Sequence, residues 1–225
     1  MILAVDTTHE FGSIALAAGE ETVEEVLLHA PAGFGHVLYA YLEQLLARHG
    51  VKPAAIDCFA GASGPGSFTG VRVGLACIKG LAEALGKPAV AVGNLEAMAT
   101  FGTAPLRAVV MDARRDDVYV AVYDDAGRLV TPEVVAKFPA WLETLPPPLW
   151  KREVQFVATD FTPLRAAVSA TRFAEASVVT APRALAAAIA RIAGARLLRG
   201  EACDPAVLDA NYVRRSDAEL FWKEC

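Results

Sequence analysis

The chain has 225 residues, of which 54% are hydrophobic and 21% are charged, and this composition can bury a full core and excludes intrinsic disorder. The net charge of −5 and the pI of about 5.4 argue against a free-standing nucleic-acid-binding protein, since such proteins neutralise phosphates with lysine and arginine. No stretch approaches the ~20 apolar residues of a membrane span, and the N-terminus lacks the basic region of a signal peptide, so a cytoplasmic protein without membrane contact is expected.

The N-terminal part begins with strand patterns and continues into a helix. Apolar runs at residues 1–5 and 13–17 flank a polar turn and predict a β-hairpin, and residues 22–29 fit a third strand. Apolar side chains at helical spacing predict a helix over residues 37–49, which Gly50 ends.

A strand, a glycine-rich loop and a long helix come next in direct succession. Residues 56–60 form an apolar run that leads into the loop at residues 61–70, and the subsequent apolar stripe predicts a helix as far as Gly86. Another short strand is predicted at residues 89–92, and Asn94 is expected to cap a short helix.

The second half repeats the layout of the first. Apolar strands end in an aspartate in both halves, at Asp6 and at Asp112, and each aspartate precedes a polar turn and another strand, which indicates a structural duplication. Residues 1–102 are therefore expected to form one lobe and residues 103–225 the other, with the tail at 205–225 packing back on the first lobe. The remaining elements predicted in this half are strands at 117–123, 128–130, 154–159 and 177–180 and an alanine-rich helix at 183–199.

The glycine-rich loop has two interpretations that the residues leave open. Backbone amides of Gly64, Gly66 and Ser67 at the start of a helix can bind an anion such as a phosphate. The loop is neither a Walker motif nor a dinucleotide fingerprint, because the lysine of the first and the third glycine of the second are missing. The alternative is a tight strand-to-helix turn in which glycines allow close backbone approach.

The polar residues after the first strand of each half are the other candidate site. Asp6 with Thr7 and Thr8, and Asp112 in the second half, could hold a hydrated Mg²⁺ or orient a phosphate. An Asx-turn explains each aspartate equally well, and a surface ion-pair cluster with Arg114 and Arg115 is favoured around Asp112.

Histidines and cysteines show no pattern of a metal or catalytic site. The four cysteines are scattered without a Cys-x-x-Cys motif and are expected to be reduced, buried thiols. No histidine pair has ligand spacing, and no serine or cysteine nucleophile can be matched with a base, so no metal ligand and no catalytic residue is predicted.

Four motifs resemble those of the TsaB (YeaZ) family. The run GPGSFTGVRVG at residues 64–74 is similar to the family's signature, and ILAVDTT at residues 2–8 is similar to its opening. The start of the second half, DARRDDVY at residues 112–119, and NYVR at residues 211–214 resemble further family segments in the same order. Together with a histidine-led helix at residue 36, the resemblance covers most of the chain.

This resemblance implies an α/β protein of the actin-like, Hsp70-like ATPase superfold, with two duplicated lobes that each contain a mixed sheet and helices. It implies a non-catalytic partner of TsaD, with TsaE as the ATPase, in forming N6-threonylcarbamoyladenosine at position 37 of tRNAs that read codons beginning with A. ATP and Mg²⁺ would then be used by the assembled complex, no cofactor would be required by this chain, and tRNA would be reached only through the complex.

The sequence departs from the catalytic relative in ways that make the nucleotide cleft degenerate. It lacks the His-x-x-x-His metal pair, and it lacks a glycine pair for adenine between Val178 and Gly200. Gly35 also stands before His36 where the family commonly has serine. An accessory role without independent activity is therefore expected.

The family picture further predicts that the two helices of the first lobe form a surface that binds the partner, or a second copy of the chain when the partner is absent. The candidate contacts are His36, Tyr39, Tyr41, Ser67, Phe68, Arg72, Leu75 and Lys79. The alternative function is an ATP-dependent small-molecule kinase of the same superfold, with Asp6 and Asp112 around Mg²⁺ and the glycine loop on phosphate.

Overall fold

The computed structural model describes residues 1–213, which contain ten strands and seven helices. The strands are β1 (Ile2–Asp6), β2 (Phe11–Ala18), β3 (Glu21–His29), β4 (Cys58–Gly64), β5 (Ala89–Gly93), β6 (Leu106–Asp112), β7 (Val118–Asp124), β8 (Leu129–Ala136), β9 (Val154–Ala158) and β10 (Ser177–Thr180). The helices are α1 (Leu38–Arg48), α2 (Phe68–Leu85), α3 (Asn94–Ala99), α4 (Phe138–Thr144), α5 (Pro147–Trp150), α6 (Arg165–Ser169) and α7 (Ala186–Leu198). Short 3₁₀ turns occur at Pro53–Ala55, Thr162–Leu164 and Pro205–Val207.

The chain divides into two units. Residues 1–97 and 183–211 form the first unit, and residues 98–182 and 212–213 belong to the second. The second lobe was predicted to begin at residue 103, whereas the structure places α7 in the first unit. Residues 205–211, part of the tail that was expected to pack back on the first lobe, also lie in this unit. The physical reason is that α7 packs on β1, β2 and β4 and covers a sheet face that would otherwise expose apolar side chains. Residues 214–225 of the predicted tail, and Arg214 of the NYVR motif, lie outside the described residues.

The sheet of the first unit has the order β3-β2-β1-β4-β5. The first three strands pair antiparallel, and β1, β4 and β5 are parallel, with Ile2 aligned to Cys58. All residues of β1 and β4 are buried, as expected for parallel strands that are covered on both faces. Leu3 and Val5 face the core with α1 and α2, whereas Ile2 points the other way, where its side chain contacts Gly194 of α7.

Both ends of α2 are explained by local residues. Ser67 is the N-cap, since its hydroxyl accepts a hydrogen bond from Gly70 N at 3.3 Å, and Gly86 ends the helix in the left-handed conformation with φ of 61°. The predictions for α1 and α2 are confirmed. The predicted strand before the loop is longer than expected, because Gly61 to Gly64 continue β4 and pair with β5.

The N-terminus of α7 is capped by side chains that are distant in sequence. The buried Ser13 hydroxyl accepts hydrogen bonds from Leu185 N at 3.0 Å and from Ala186 N at 2.9 Å. The Glu25 carboxylate accepts a third, from Ala187 N at 2.8 Å, where a negative charge also matches the helix dipole. Strands β2 and β3 therefore supply the partners that the first turn of α7 lacks.

The second unit repeats the topology of the first. Its sheet has the order β10-β9-β6-β7-β8, in which β6, β7 and β8 pair antiparallel and β6, β9 and β10 are parallel. The same succession of strands thus builds both sheets, which confirms the predicted duplication into two mixed α/β lobes. The core beneath this sheet is aromatic, with Phe138, Trp141, Phe156, Phe161 and Phe173 packed together.

Candidate functional site

The carboxyl ends of the parallel strands β1, β4 and β5 bring polar residues together. Asp6 ends β1 with its side chain buried, and its Oδ1 accepts hydrogen bonds from Thr8 N at 2.9 Å and Thr8 Oγ1 at 2.7 Å. Its Oδ2 accepts from Asn94 Nδ2 at 3.3 Å. Three donors from within the protein therefore satisfy the buried carboxylate of Asp6.

Asn94 connects this aspartate to the glycine loop. Its Nδ2 also donates to Thr8 Oγ1 at 2.8 Å, and its Oδ1 accepts from Gly64 N at 3.1 Å. Asn94 was predicted only to cap a short helix, and this role was missed. A polar residue directly after an apolar parallel strand was the available signal, because such strands end at one edge of a sheet. Asp6, Thr8, Asn94 and Gly64 are referred to below as the aspartate cluster.

The glycine loop packs against the backbone of the first β-turn. Ser67 N donates to Thr8 O at 2.7 Å, and Thr7 Oγ1 donates to Gly70 O at 2.7 Å. A Cβ atom added at Gly66 would lie 2.7 Å from Thr8 O, and one added at Gly70 would lie 2.1 Å from Thr7 O. The glycines are therefore required by close backbone approach.

Four amides at the glycine loop have acceptors within the protein. Gly64 N binds Asn94, Ser67 N binds Thr8, and Gly70 N and Val71 N bind Ser67. Of the three predicted anion-binding amides, those of Gly64 and Ser67 are therefore engaged within the protein. Within residues 1–213, no group of three histidine, cysteine or acidic side chains is arranged to hold a metal ion.

Thr8 and His9 resemble the hydroxyl and imidazole of a hydrolase, and their hydrogen bonds argue against that chemistry. Thr8 Oγ1 lies 3.0 Å from His9 Nδ1, but the only hydroxyl proton is donated to Asp6 Oδ1. Thr8 Oγ1 also accepts a hydrogen bond from Asn94 Nδ2. Because the Thr8 hydroxyl proton is directed to Asp6, it is not directed to the imidazole of His9.

Asp112 lies at the end of β6 in the second unit and is exposed. Its Oδ1 accepts from Arg114 N at 2.8 Å, which is an Asx-turn. Arg114, Arg115 and Asp116 all have positive φ, between 56° and 62°, and form the tip of the β6–β7 hairpin. Lys137 pairs with Asp117 at 3.0 Å, an ion pair that the sequence analysis did not predict.

The exposed sides of α1 and α2 contain most of the predicted partner contacts. Tyr39 is 58% exposed and Phe68 is 43% exposed, and the guanidinium carbon of Arg72 lies 3.3 Å from the Phe68 ring centroid. His36 is exposed in the segment that precedes α1, and Ser67 is exposed at the cap of α2.

Three predicted contacts are placed differently from expectation. Leu75 lies on the buried side of α2 and faces Gly61 of the sheet, because the apolar stripe of the helix points to the core. Tyr41 is half-buried and packs against the same core. Lys79 is occupied within the chain, since its ammonium group donates to Ala206 O at 3.1 Å and to Leu208 O at 3.0 Å.

Small residues form an exposed stripe along α2 that the sequence analysis overlooked. Ala76, Gly80 and Ala84 are exposed and four residues apart, so they lie on one side of the helix. A Cβ atom added at Gly80 would meet no atom within 4 Å. This stripe together with Tyr39 and Phe68 is referred to below as the docking face.

Two titratable side chains meet where α1 lies beside α2. Burial raises the pKa of the Cys77 thiol to about 11. The neighbouring Cys77 sulfur in turn raises the pKa of the Tyr39 hydroxyl above its usual value. Both groups are therefore uncharged at neutral pH.

Comparisons with known proteins agree with the motifs and the duplicated fold. A family model described as TsaD: tRNA N6-adenosine threonylcarbamoyltransferase matches residues 34–219. The tRNA threonylcarbamoyladenosine biosynthesis protein TsaB of Bacillus subtilis is 32% identical over 149 residues, which cover 64% of this chain and 65% of that protein. The TsaB of Haemophilus influenzae is 37% identical over 123 residues, or 52% and 51% of the two chains. The chain belongs to the TsaB (YeaZ) family.

A solved structure confirms the fold that this family membership predicts. YeaZ from Pseudomonas aeruginosa superposes with a TM-score of 0.73 at 26% identity and covers 93% of this chain and 99% of its own. The two sheets of this chain share one mixed strand order, as expected for a duplicated α/β fold. In sequence, the chain spans between half and two thirds of the length of the curated TsaB relatives described above. None of the helices in residues 1–213 has the length and apolarity that crossing a bilayer requires.

Proposed function

We propose that this chain acts in the formation of N6-threonylcarbamoyladenosine at position 37 of tRNAs that read codons beginning with A, as a non-catalytic partner that scaffolds and activates TsaD. The TsaB names of its relatives and the TsaD family match support this pathway. TsaE completes the assembly, which uses ATP and Mg²⁺. The net charge of −5 supports tRNA contact through the complex rather than through this chain alone.

The docking face is the observation that carries the proposal of a partner. Small exposed residues at Ala76, Gly80 and Ala84 let the backbone of a second helix approach α2 closely, and the aromatic side chains of Tyr39 and Phe68 provide anchors beside it. A helix of TsaD is the partner that we assign to this face. In the absence of the partner, the same surface supports a homodimer.

The closed aspartate cluster supports a role without independent catalysis. Asp6 and Thr8 are buried, and their oxygens accept hydrogen bonds from within the protein. A kinase of this superfold would need the carboxylate and the loop amides to face Mg²⁺ and phosphate. Opening the cluster would first break these internal hydrogen bonds.

Gly80→Arg tests the docking face without disturbing the core, because this position is exposed and has open space around it. The variant is expected to weaken binding to TsaD of the same organism by about 30-fold or more, as when an interface hot spot is lost. Threonylcarbamoylation by the reconstituted assembly should fall in parallel.

Two controls accompany this test. Gly80→Ala keeps a small side chain and should bind like the wild type, and Ala195→Arg places the same arginine on the exposed side of α7. If calorimetry shows that Gly80→Arg binds TsaD as tightly as the wild type, the assignment of the docking face as the TsaD-binding surface is refuted. ATP turnover by the isolated chain would instead support the kinase-like alternative.

A further inference from the structure

A segment near the C-terminal end of the first unit runs over α2 and ends at the glycine loop. Residues 204–211, here called the strap, begin at Asp204, whose carboxylate accepts from Ala206 N at 2.8 Å. Leu208 of the strap is buried in the core with α1 and α2. At the far end, Asn211 N donates to Ser63 O at 2.7 Å. The strap thus spans the distance between α2 and the end of β4.

Lys79 is the side chain of α2 that binds the strap backbone. Its ammonium group donates to the carbonyls of Ala206 and Leu208, at 3.1 Å and 3.0 Å. Both acceptors are neutral, and the ammonium group forms no ion pair with any side chain in residues 1–213. A carboxylate would be the stronger acceptor for this cation, because charge-assisted hydrogen bonds are about twice as strong as those to neutral groups.

The position of Lys79 on α2 puts it beside the docking face. Lys79 directly precedes Gly80 and lies three residues after Ala76, so its side chain leaves the helix at the edge of the small-residue stripe. A helix seated on that stripe would bring its own side chains within reach of the ammonium group. The side chain that binds the strap is therefore a neighbour of the docking face.

The other end of the strap touches the aspartate cluster. The Asn211 carbonyl oxygen lies 2.9 Å from the position that a Cβ atom on Gly64 would take, and Gly64 N donates to Asn94. The hydrogen bond from Asn211 to Ser63 adds a second contact at the same loop. Displacement of the strap would therefore remove the contacts of Asn211 with Gly64 and Ser63.

We propose that Lys79 is a latch for the strap, and that a carboxylate on a partner helix docked against α2 takes over its ammonium group and releases the strap. The partner in this step is the one that the proposed function assigns to the docking face. Docking then loosens the contact of Asn211 with Ser63 and Gly64, which connects partner binding to the aspartate cluster. Lys79 acts here as a positioning residue, because it holds the strap and contacts no substrate.

Hydrogen exchange measured by mass spectrometry tests the latch in the isolated chain. Lys79→Met keeps the length of the side chain and removes the donor, so amide exchange at Leu208 and Asn211 should rise by about tenfold, while exchange in α7 stays unchanged. Lys79→Arg can still donate to both carbonyls and should exchange more slowly than Lys79→Met. Equal strap exchange in wild type and Lys79→Met would overturn the latch.

Addition of purified TsaD from the same organism tests the release step. Wild-type strap amides should exchange about tenfold faster in the complex, while the amides of α2 become more protected. Strap amides that stay protected or become slower in a complex that has formed would overturn release by the partner. Failure of any complex to form would refute the proposed function instead. The comparison of Lys79→Met with wild type would still test whether Lys79 holds the strap in the isolated chain.

Discussion

Ser13→Ala is expected to destabilise the protein strongly even though it removes a single oxygen atom. The Ser13 hydroxyl is the acceptor for Leu185 N and Ala186 N, and its side chain is fully buried. Water cannot replace it at that depth, so two backbone donors would be left unsatisfied. Loss of a helix cap costs about 0.5–2 kcal/mol, and each orphaned buried donor costs about 1–3 kcal/mol. Since the two penalties overlap, we expect the free energy of unfolding to fall by about 2–4 kcal/mol.

Urea denaturation followed by far-UV circular dichroism measures this loss, because the signal reports on helices such as α7. The midpoint should move to lower urea with an unchanged slope, since the area exposed on unfolding stays the same. Ser169→Ala is the matched control, because Ser169 is exposed at the end of α6. A loss below about 0.5 kcal/mol for Ser13→Ala would show that α7 does not depend on this remote cap.

Two further predictions concern glycines and thiols. Gly70→Ala should lower the free energy of unfolding by about 3 kcal/mol, because a Cβ atom there would lie 2.1 Å from a backbone oxygen. Gly80→Ala in the same helix should raise the free energy of unfolding by about 0.5–1 kcal/mol, because its Cβ atom would meet no neighbour. Thermal denaturation of both variants measures the two effects. Burial raises the pKa of the Cys58 and Cys77 thiols to about 11. Iodoacetamide at pH 8 should therefore label both thiols far more slowly than the half-buried Cys203, and mass spectrometry of the labelled protein measures the three rates. Because these pKa values are raised by folding, stability should fall as the pH increases from about 9 to 11, and a constant stability over that range would contradict the assignment.

Local patterns predicted most of the elements that frame the candidate site. The period of apolar residues located α1, α2 and α7 within a few residues, because each helix buries one face on a sheet. The aspartates at the ends of the first and sixth strands were recognised as equivalent, and the repeated strand order confirms that they occupy corresponding positions. Short elements such as α4 and α6 were missed, because five to seven residues contain too little periodicity.

The partner surface was predicted only in part, because periodicity does not separate a core-facing side chain from a partner-facing one. Leu75 follows the same helical pattern as exposed positions of α2, yet it is buried against Gly61. The exposed stripe around Gly80 was overlooked, because small residues produce no apolar signal. The hydrogen bonds of Lys79 to the strap were not predicted, since its acceptors lie more than 120 residues away in sequence.

The sequence by itself determined the class of the fold, the succession of strand, glycine-rich loop and helix that leads into α2, and the family, because these depend on neighbouring residues and on short motifs. The tertiary structure decided which side chains meet: Asn94 joins Asp6 across the ends of three strands, and Ser13 caps a helix that begins 173 residues later. It also decided that four amides at the loop bind acceptors within the protein and that α7 belongs with the first unit. These outcomes depend on hydrogen bonds and packing between distant segments, whose partners become fixed only when the sheet brings them to the same edge or face.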